Sequence, residues 1–377
     1  MTDVTRREFV GTSLVAAFFG SPGWAALAEG ELFGTVPFVE EGSSPIGTLI
    51  EGSHLGRLVV DLANLTDDTL VTPNDEFFIR TRYPDGLHPK GPWKIRARGH
   101  VREQTTIRLD SLLGDVEPMG LRLLECSGNS KRRKFGLLSS AEWSGIPIFK
   151  VIEKAHPTTK AKRVLIVGHD EHSDFRTPRG RGASWIFTFD ELERAGAYLA
   201  TEMNGKPLPK DHGEPVRLMV PNWYGCTCIK WVREIQLVDD ETPSTQQMRE
   251  FSSRTHQDGV PEMARDFIPA TMDQTGIPVR VEKWRLDGKL FYRVWGVLWG
   301  GEKTTDRVVI RFNEDLPYKA LESYEHRNNR TWTLWSHTWR PVAPGRYKIQ
   351  LAVDDPAIRT RRLDRGYYTC QIDIAEV

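Results

Sequence analysis

Residues 202–221, Glu202-Met203-Asn204-Gly205-Lys206-Pro207-Leu208-Pro209-Lys210-Asp211-His212-Gly213-Glu214-Pro215-Val216-Arg217-Leu218-Met219-Val220-Pro221, are a Gly- and Pro-rich segment that runs into a strand-like stretch, Val216 to Val220. Arg217 lies inside that apolar run. A second cation, Lys230, lies inside another, Ile229-Lys230-Trp231. A buried cation is costly unless an anion meets it. With His212 just upstream, three donors come from adjacent segments that can converge on one anion. The alternative is ordinary surface charge at strand ends.

Upstream, residues 121–133, Leu-Arg-Leu-Leu-Glu-Cys-Ser-Gly-Asn-Ser-Lys-Arg-Arg, set Cys126 between an apolar strand-like run and a Gly-Asn turn followed by three cations. A thiolate is a strongly donating ligand for a soft metal, and Lys131, Arg132 and Arg133 would lower its pKa. A lone cysteine after such a run also suits a core hydrophobe. Arg80, after Phe77-Phe78-Ile79, needs either an anion or a carboxylate if it is covered.

The first residues carry a different signal. Thr5-Arg6-Arg7-Glu8-Phe9-Val10 precedes an apolar Gly/Ala-rich run from Gly11 to Gly20, with Ala26-Leu27-Ala28 beyond. This reads as a twin-arginine signal peptide over residues 1–28, since the run is shorter than the about 20 residues a spanning helix needs. Twin-arginine export carries folded proteins, usually with a cofactor already inserted. The expectation is a periplasmic protein starting at Glu29.

At 377 residues the chain has room for two domains. Its 51 basic and 51 acidic side chains give a formal net charge of zero, so no field of one sign argues for nucleic acid or membrane. Of the four cysteines, Cys226 and Cys228 lie two apart on what reads as a strand, and Cys370 lies in the last strand. That spacing allows at most one disulfide, with Cys126 free.

Character changes near residue 275. Before it, strand-like runs (Arg163 to Val167, Val216 to Val220) mix with helical stretches, Phe189 to Ala195 and Ser244 to Phe251, as in an α+β domain. After it, Ile277 to Leu286, Leu290 to Trp299, Arg307 to Phe312, Thr331 to Trp339, Arg346 to Val353 and Tyr367 to Ile374 read as strands bounded by Gly, Pro, Asp or Asn. The pattern predicts an α+β domain over 29–275 and an all-β immunoglobulin-like sandwich over 276–377.

Several separated motifs together resemble the sulfite oxidase family of molybdenum enzymes. The stretch 202–221 with Gly225 and Ile229-Lys230-Trp231 is similar to the family's segment closing over the phosphate end of a molybdopterin. Thr72-Pro73-Asn74-Asp75-Glu76-Phe77-Phe78-Ile79-Arg80 resembles its Phe-Phe-Val-Arg-Asn-His segment, and Leu124-Glu125-Cys126-Ser127-Gly128-Asn129 its Cys-Ala-Gly-Asn motif. The resemblance implies a sulfite-oxidase-type domain with a molybdenum-molybdopterin cofactor. Cys126 would ligate the metal. Phe78, Arg80, Thr81, Arg82, Asp170 (in Gly168-His169-Asp170), His212, Arg217, Cys228 and Lys230 would bind the cofactor. Arg80, Lys131 and Trp143 would serve catalysis beside Cys126, Trp143 by lining the substrate channel, although a packing aromatic is an equal reading. The C-terminal unit would be a dimerisation domain.

Departures from the family bear on substrate. Thr81 and Arg82 replace its Asn-His, Lys131 replaces an arginine, and Phe251 falls where an active-site tyrosine stands. The implied activity is oxo transfer to a small sulfur-containing anion or protein-bound sulfur. Electrons would pass to an external acceptor, a c-type cytochrome or partner subunit, because neither Cys-x-x-Cys-His nor His-Pro-Gly-Gly is present to mark a haem domain in this chain. A sulfane dehydrogenase subunit, a sulfoxide reductase and a secreted metal-free binding protein are the alternatives.

Overall fold

The computed structural model describes residues 30–39, 47, 56–66, 70–81, 87, 91–170, 183–325 and 328–377. The twin-arginine stretch, Arg82 and the Thr81 side chain lie outside the described residues. The chain forms two compact units, one Ser43–Met272, the other Asp273–Val377 joined by the N-terminal residues up to Gly42.

The larger unit mixes strands and short helices. One antiparallel sheet orders Lys206–Pro207, Tyr198–Met203, Leu138–Pro147 and Glu117–Glu125, with Arg217–Met219 also paired to Tyr198–Met203. A second sheet orders Thr105–Arg108, Lys94–Gly99, Val232–Val238, Arg163–Gly168 and Ser184–Thr188. Only Lys94–Gly99 and Val232–Val238 run parallel there. The strands of this second sheet carry Ile95, Val164, Ile166, Phe187 and Ile235 into one apolar core, which Leu124, Trp143 and Leu218 of the first sheet also join. A two-stranded ribbon, Gly56–Leu58 with Ile79–Thr81, stands apart from both.

Helix Phe189–Ala195 forms where its sequence predicts it. Thr188 Oγ1 accepts the Glu191 N–H at 3.0 Å, Glu191 returns the favour to the Thr188 N–H at 2.7 Å, and Gly196 ends the helix at φ +61°. The expected helix over Ser244 to Phe251 is shorter, Gln246–Phe251, because Thr245 is spent as its cap, accepting the Met248 N–H at 3.2 Å. The strand expected through Cys226 and Cys228 is instead a 3-10 turn, Gly225–Thr227. Thr227 Oγ1 donates to the Tyr224 carbonyl at 2.9 Å, and the Cys228 N–H folds back to Gly225.

Among its described residues the other unit is all-β apart from the short helix Arg361–Asp364. Sheet Glu31–Thr35, Thr275–Leu286, Lys289–Trp299, Thr333–Trp339, Ser323–Tyr324 faces sheet Lys319–Ala320, Val308–Phe312, Gly345–Val353, Cys370–Ile374. Phe312 of the second stacks on Trp339 of the first with ring centroids 4.0 Å apart, and Tyr347 meets Trp339 edge-on. Asp287 and Gly288, at φ +50° and +74°, make the two-residue turn that fixes the register Leu286↔Lys289. The last strand starts at Cys370 rather than Tyr367, since the Tyr367 N–H still caps the preceding helix by bonding the Arg362 carbonyl.

Candidate functional site

Cys126 follows directly on strand Glu117–Glu125, and a tight turn holds it: its N–H bonds the Leu137 carbonyl and its own carbonyl accepts the Asn129 N–H at 2.8 Å. Asn129, fully buried, ties the loop at both ends, donating to Glu125 Oε1 and accepting the Leu137 N–H at 3.2 Å. Gly128 N–H points at the Cys126 sulfur from 3.4 Å. Burial pushes the thiol up, and this N–H with the Arg80 and Arg133 guanidinium groups pulls the other way. Burial, the leading cause, favours the thiol over the thiolate here.

Arg80 reaches the same place from the ribbon. Its pKa is lowered first by burial and then by Arg57, Arg133 and Arg254, while Cys126 supports its charge. Arg57 stands directly opposite Arg80 in the ribbon's register. Like charges facing each other across two strands are unfavourable. The Arg57 Nε is also buried without a hydrogen-bond partner. Arg133 donates to the Gly128 carbonyl at 3.4 Å, and a Cβ built on Gly128 would touch both Arg254 Nη1 and Cys126 Sγ, at 3.6 and 3.7 Å. Arg254 extends past the Phe251 ring, its Cζ 5.2 Å from the centroid.

A second cationic group lies on the segment 202–230. Arg217, 2 % exposed, donates to the carbonyls of His212 and Cys228, each at 3.2 Å, and its Nε has no partner. Lys230 pairs with Arg217 across a bridge and donates to the Asp211 carbonyl at 2.6 Å. Burial foremost, then Arg217, lowers the Lys230 pKa to about 7, against support from Asp170 and Asp211. His212 is pushed to about 3 by burial and by the same two cations. Trp143, 1 % exposed, lies under this group, with Phe77 edge-on to it and Arg217 Cζ 5.6 Å from its ring centre; its indole N–H is also without a partner. Cys228 contributes its carbonyl here, its sulfur accepting the Val220 N–H at 3.5 Å.

The residues expected from sequence thus fall into two groups. Cys126 and Arg80 come together, while Phe78, two residues before Arg80, stacks on Phe77. Asp170, His212, Arg217, Cys228 and Lys230 form the other, with Trp143. Lys131 opens the 3-10 turn Lys131–Arg133, and it is Arg133 from that turn whose guanidinium borders Gly128. Sequence reading missed Arg57 and Arg254, each an isolated arginine without a motif. All four cysteines are free thiols.

These donors suit an anionic cofactor that brings a metal. Two buried guanidinium Nε atoms lack partners, cations cluster with no ion pair to Arg57, Arg80, Arg217 or Lys230 among the described residues, and one thiol is on hand. Among the described residues no three His, Cys, Asp or Glu side chains gather to hold a bare metal ion.

Comparison with known proteins agrees. Residues 83–246 match the oxidoreductase molybdopterin binding domain. The chain is 27 % identical over 320 residues to mitochondrial sulfite oxidase of Macaca fascicularis, covering 77 % of this chain and 57 % of that protein, and 26 % identical to the human enzyme over the same shares. The catalytic subunit of a protein-methionine-sulfoxide reductase from Xanthomonas axonopodis is 31 % identical over 153 residues, 39 % of this chain and 45 % of that one. Among solved structures, the sulfane dehydrogenase SoxCD from Paracoccus pantotrophus shares the fold with a TM-score of 0.65 at 18 % identity, over 89 % of this chain and 90 % of that one. Residues 83–246 thus match a molybdopterin-binding domain, and over most of its length the chain is similar to sulfite oxidases, of whose own length it spans a little over half.

Proposed function

We propose that this protein is a molybdenum-molybdopterin oxidoreductase acting on a sulfur group, of the sulfite oxidase type. The observation that carries the reading is the convergence of Arg80 and Arg133 on the Cys126 thiol, with Arg57 opposite Arg80, beside the buried Arg217–Lys230 pair. Cys126 supplies the protein's ligand to the metal. Arg217, Lys230 and His212 hold the phosphate end of the pterin by charge-assisted hydrogen bonds, and the Cys228 carbonyl and Trp143 fix the Arg217 fork from either side. Arg80 orients the substrate anion and stabilises charge that builds up beside the metal. When bound, the cofactor supplies two-electron oxo-transfer chemistry: sulfite and water give sulfate, two protons and two electrons.

Those electrons would leave singly to an external acceptor, for which a c-type cytochrome or a partner subunit is suited. The twin-arginine pattern around Arg6-Arg7 supports export to a periplasm with the cofactor in place. The all-β unit supports an immunoglobulin-like dimerisation module. Sulfane oxidation, which the name of the solved relative indicates for that protein, would call on the same cations and cysteine here and is the second reading.

Molybdenum analysis of protein made in a molybdopterin-competent host tests the proposal. One metal per chain is expected, and Cys126→Ser should fold normally yet lose turnover of sulfite with an artificial one-electron acceptor. Parent protein free of molybdenum would overturn the reading in favour of a metal-free binding protein.

A further inference from the structure

We infer that Cys126 and Cys226 are a paired-thiol site that closes into a disulfide in the metal-free chain, so that oxidation and metal loading compete for one sulfur. The inference rests on reading Cys126 as the protein's ligand to the metal. Cys126 follows strand Glu117–Glu125, and Cys226 lies in the turn Gly225–Thr227. The two segments touch one residue before each cysteine, since a Cβ built on Gly225 would lie 3.1 Å from the Glu125 carbonyl oxygen. A residue without a side chain lets the backbones pass this closely, and a disulfide joins Cα atoms about 5.5 Å apart. Ser127, next after Cys126, is within hydrogen-bonding reach of the Cys226 thiol, and the two sulfurs feel each other's charge.

Both backbones are held in place. Asn129 ties the loop after Cys126 at both ends, and the buried Gln247 donates to the Cys226 carbonyl while accepting the Ser184 N–H at 3.0 Å. Both thiols are half-buried, which leaves them open to a small oxidant. The other two cysteines are placed differently. Cys228 is buried with its sulfur turned to the Val220 N–H, and Cys370 lies in the all-β unit. The chemistry is thiol–disulfide exchange: the Cys126 and Cys226 thiols give up two electrons and two protons as one S–S bond forms between them, and the S–S bond of a small disulfide oxidant breaks to give two thiols. A bound metal takes the Cys126 sulfur as its ligand and withdraws it from that exchange.

Oxidised glutathione is the probe. Full-length protein from hosts with and without molybdopterin is incubated with it, alkylated, digested and read by mass spectrometry. Metal-free parent should lose two of its four free thiols and yield peptides linked through Cys126 and Cys226. Cys226→Ser should abolish that link, while Cys228→Ser and Cys370→Ser keep it. Once oxidised, the parent should take up no molybdenum cofactor until dithiothreitol reduces it, whereas Cys226→Ser should load with or without the reductant. Molybdenum-loaded parent should keep all four thiols. Metal-free parent that keeps its thiols, carries only glutathione adducts, or bridges indiscriminately through Cys228 or Cys370 overturns the inference and leaves the molybdenum reading intact. A molybdenum-loaded chain that forms the bridge as readily as the metal-free one also overturns it. Protein that carries no molybdenum from the competent host, yet links Cys126 to Cys226, upholds the pairing and overturns the molybdenum reading instead.

Discussion

Lys230 shows how far burial can move a single residue from its ordinary chemistry. Its folded pKa of about 7 lies well below the ordinary lysine value of about 10.4, because burial and Arg217 disfavour its charge. Between those two values the unfolded chain holds a proton that the folded chain has released, so cofactor-free protein should gain stability as pH rises from about 7 to 10. The slope has a ceiling of about 1.4 kcal/mol per pH unit. Lys230→Met should flatten it, as read from chemical denaturation at several pH values; parallel curves for parent and variant would refute the assignment. An anion bound at Lys230 would cancel the slope by restoring the charged form. Arg217→Ala should lower molybdenum occupancy, measured by metal analysis, before it alters the turnover of loaded enzyme. Much of this was legible in sequence, since a cation in an apolar run announces a need for an anion. For Trp143 the sequence left a channel lining and a packing aromatic equally open, because which face a strand residue presents to Arg217 depends on pairing with distant strands.

Among elements, the turn Lys210–His212 and its successor Gly213 position the cations Arg217 and Lys230. Gly213 has φ +112°, and a Cβ there would lie 3.0 Å from that of Arg217 and 3.3 Å from that of Lys230. Gly213→Ala is therefore expected to cost about 1–3 kcal/mol and to reduce cofactor loading together with thermal stability. Unchanged loading would mean that the turn adjusts independently of the cations. Helix Phe189–Ala195 was readable to the residue from Thr188 and Gly196, since both caps are local. The turn at Gly225–Thr227 was not. Cys226 and Cys228 sit in a run that looks like a strand, and what bends it is a hydroxyl bond from Thr227 to Tyr224 together with the backbone pairing of Tyr224 to Ala270.

For the molecule as a whole, periodic strands after residue 275 announced an all-β unit. They could not announce that Glu31–Thr35 adds an edge strand to it by pairing with Thr275–Leu286, because a contact across more than 200 residues leaves no trace in local periodicity. Deleting residues 30–42 should destabilise that unit, seen as early loss of its tryptophan signal on heating, and retention of the parent melting profile would count against the pairing. At the same scale, cofactor loading should raise the melting temperature by mass action, since an anion that binds only the folded state relieves the repulsion among clustered cations. The ribbon Gly56–Leu58 with Ile79–Thr81 is where that relief is concentrated. It is three residues long on each side, belongs to neither large sheet, and opposes two arginines. Without a counter-ion it is a zip that its own charges push open, and with one it is a clasp. Amide exchange in those six residues would thus act as a built-in gauge of filling, slow in loaded chains and fast in empty ones, long before the rest of the fold registers any difference.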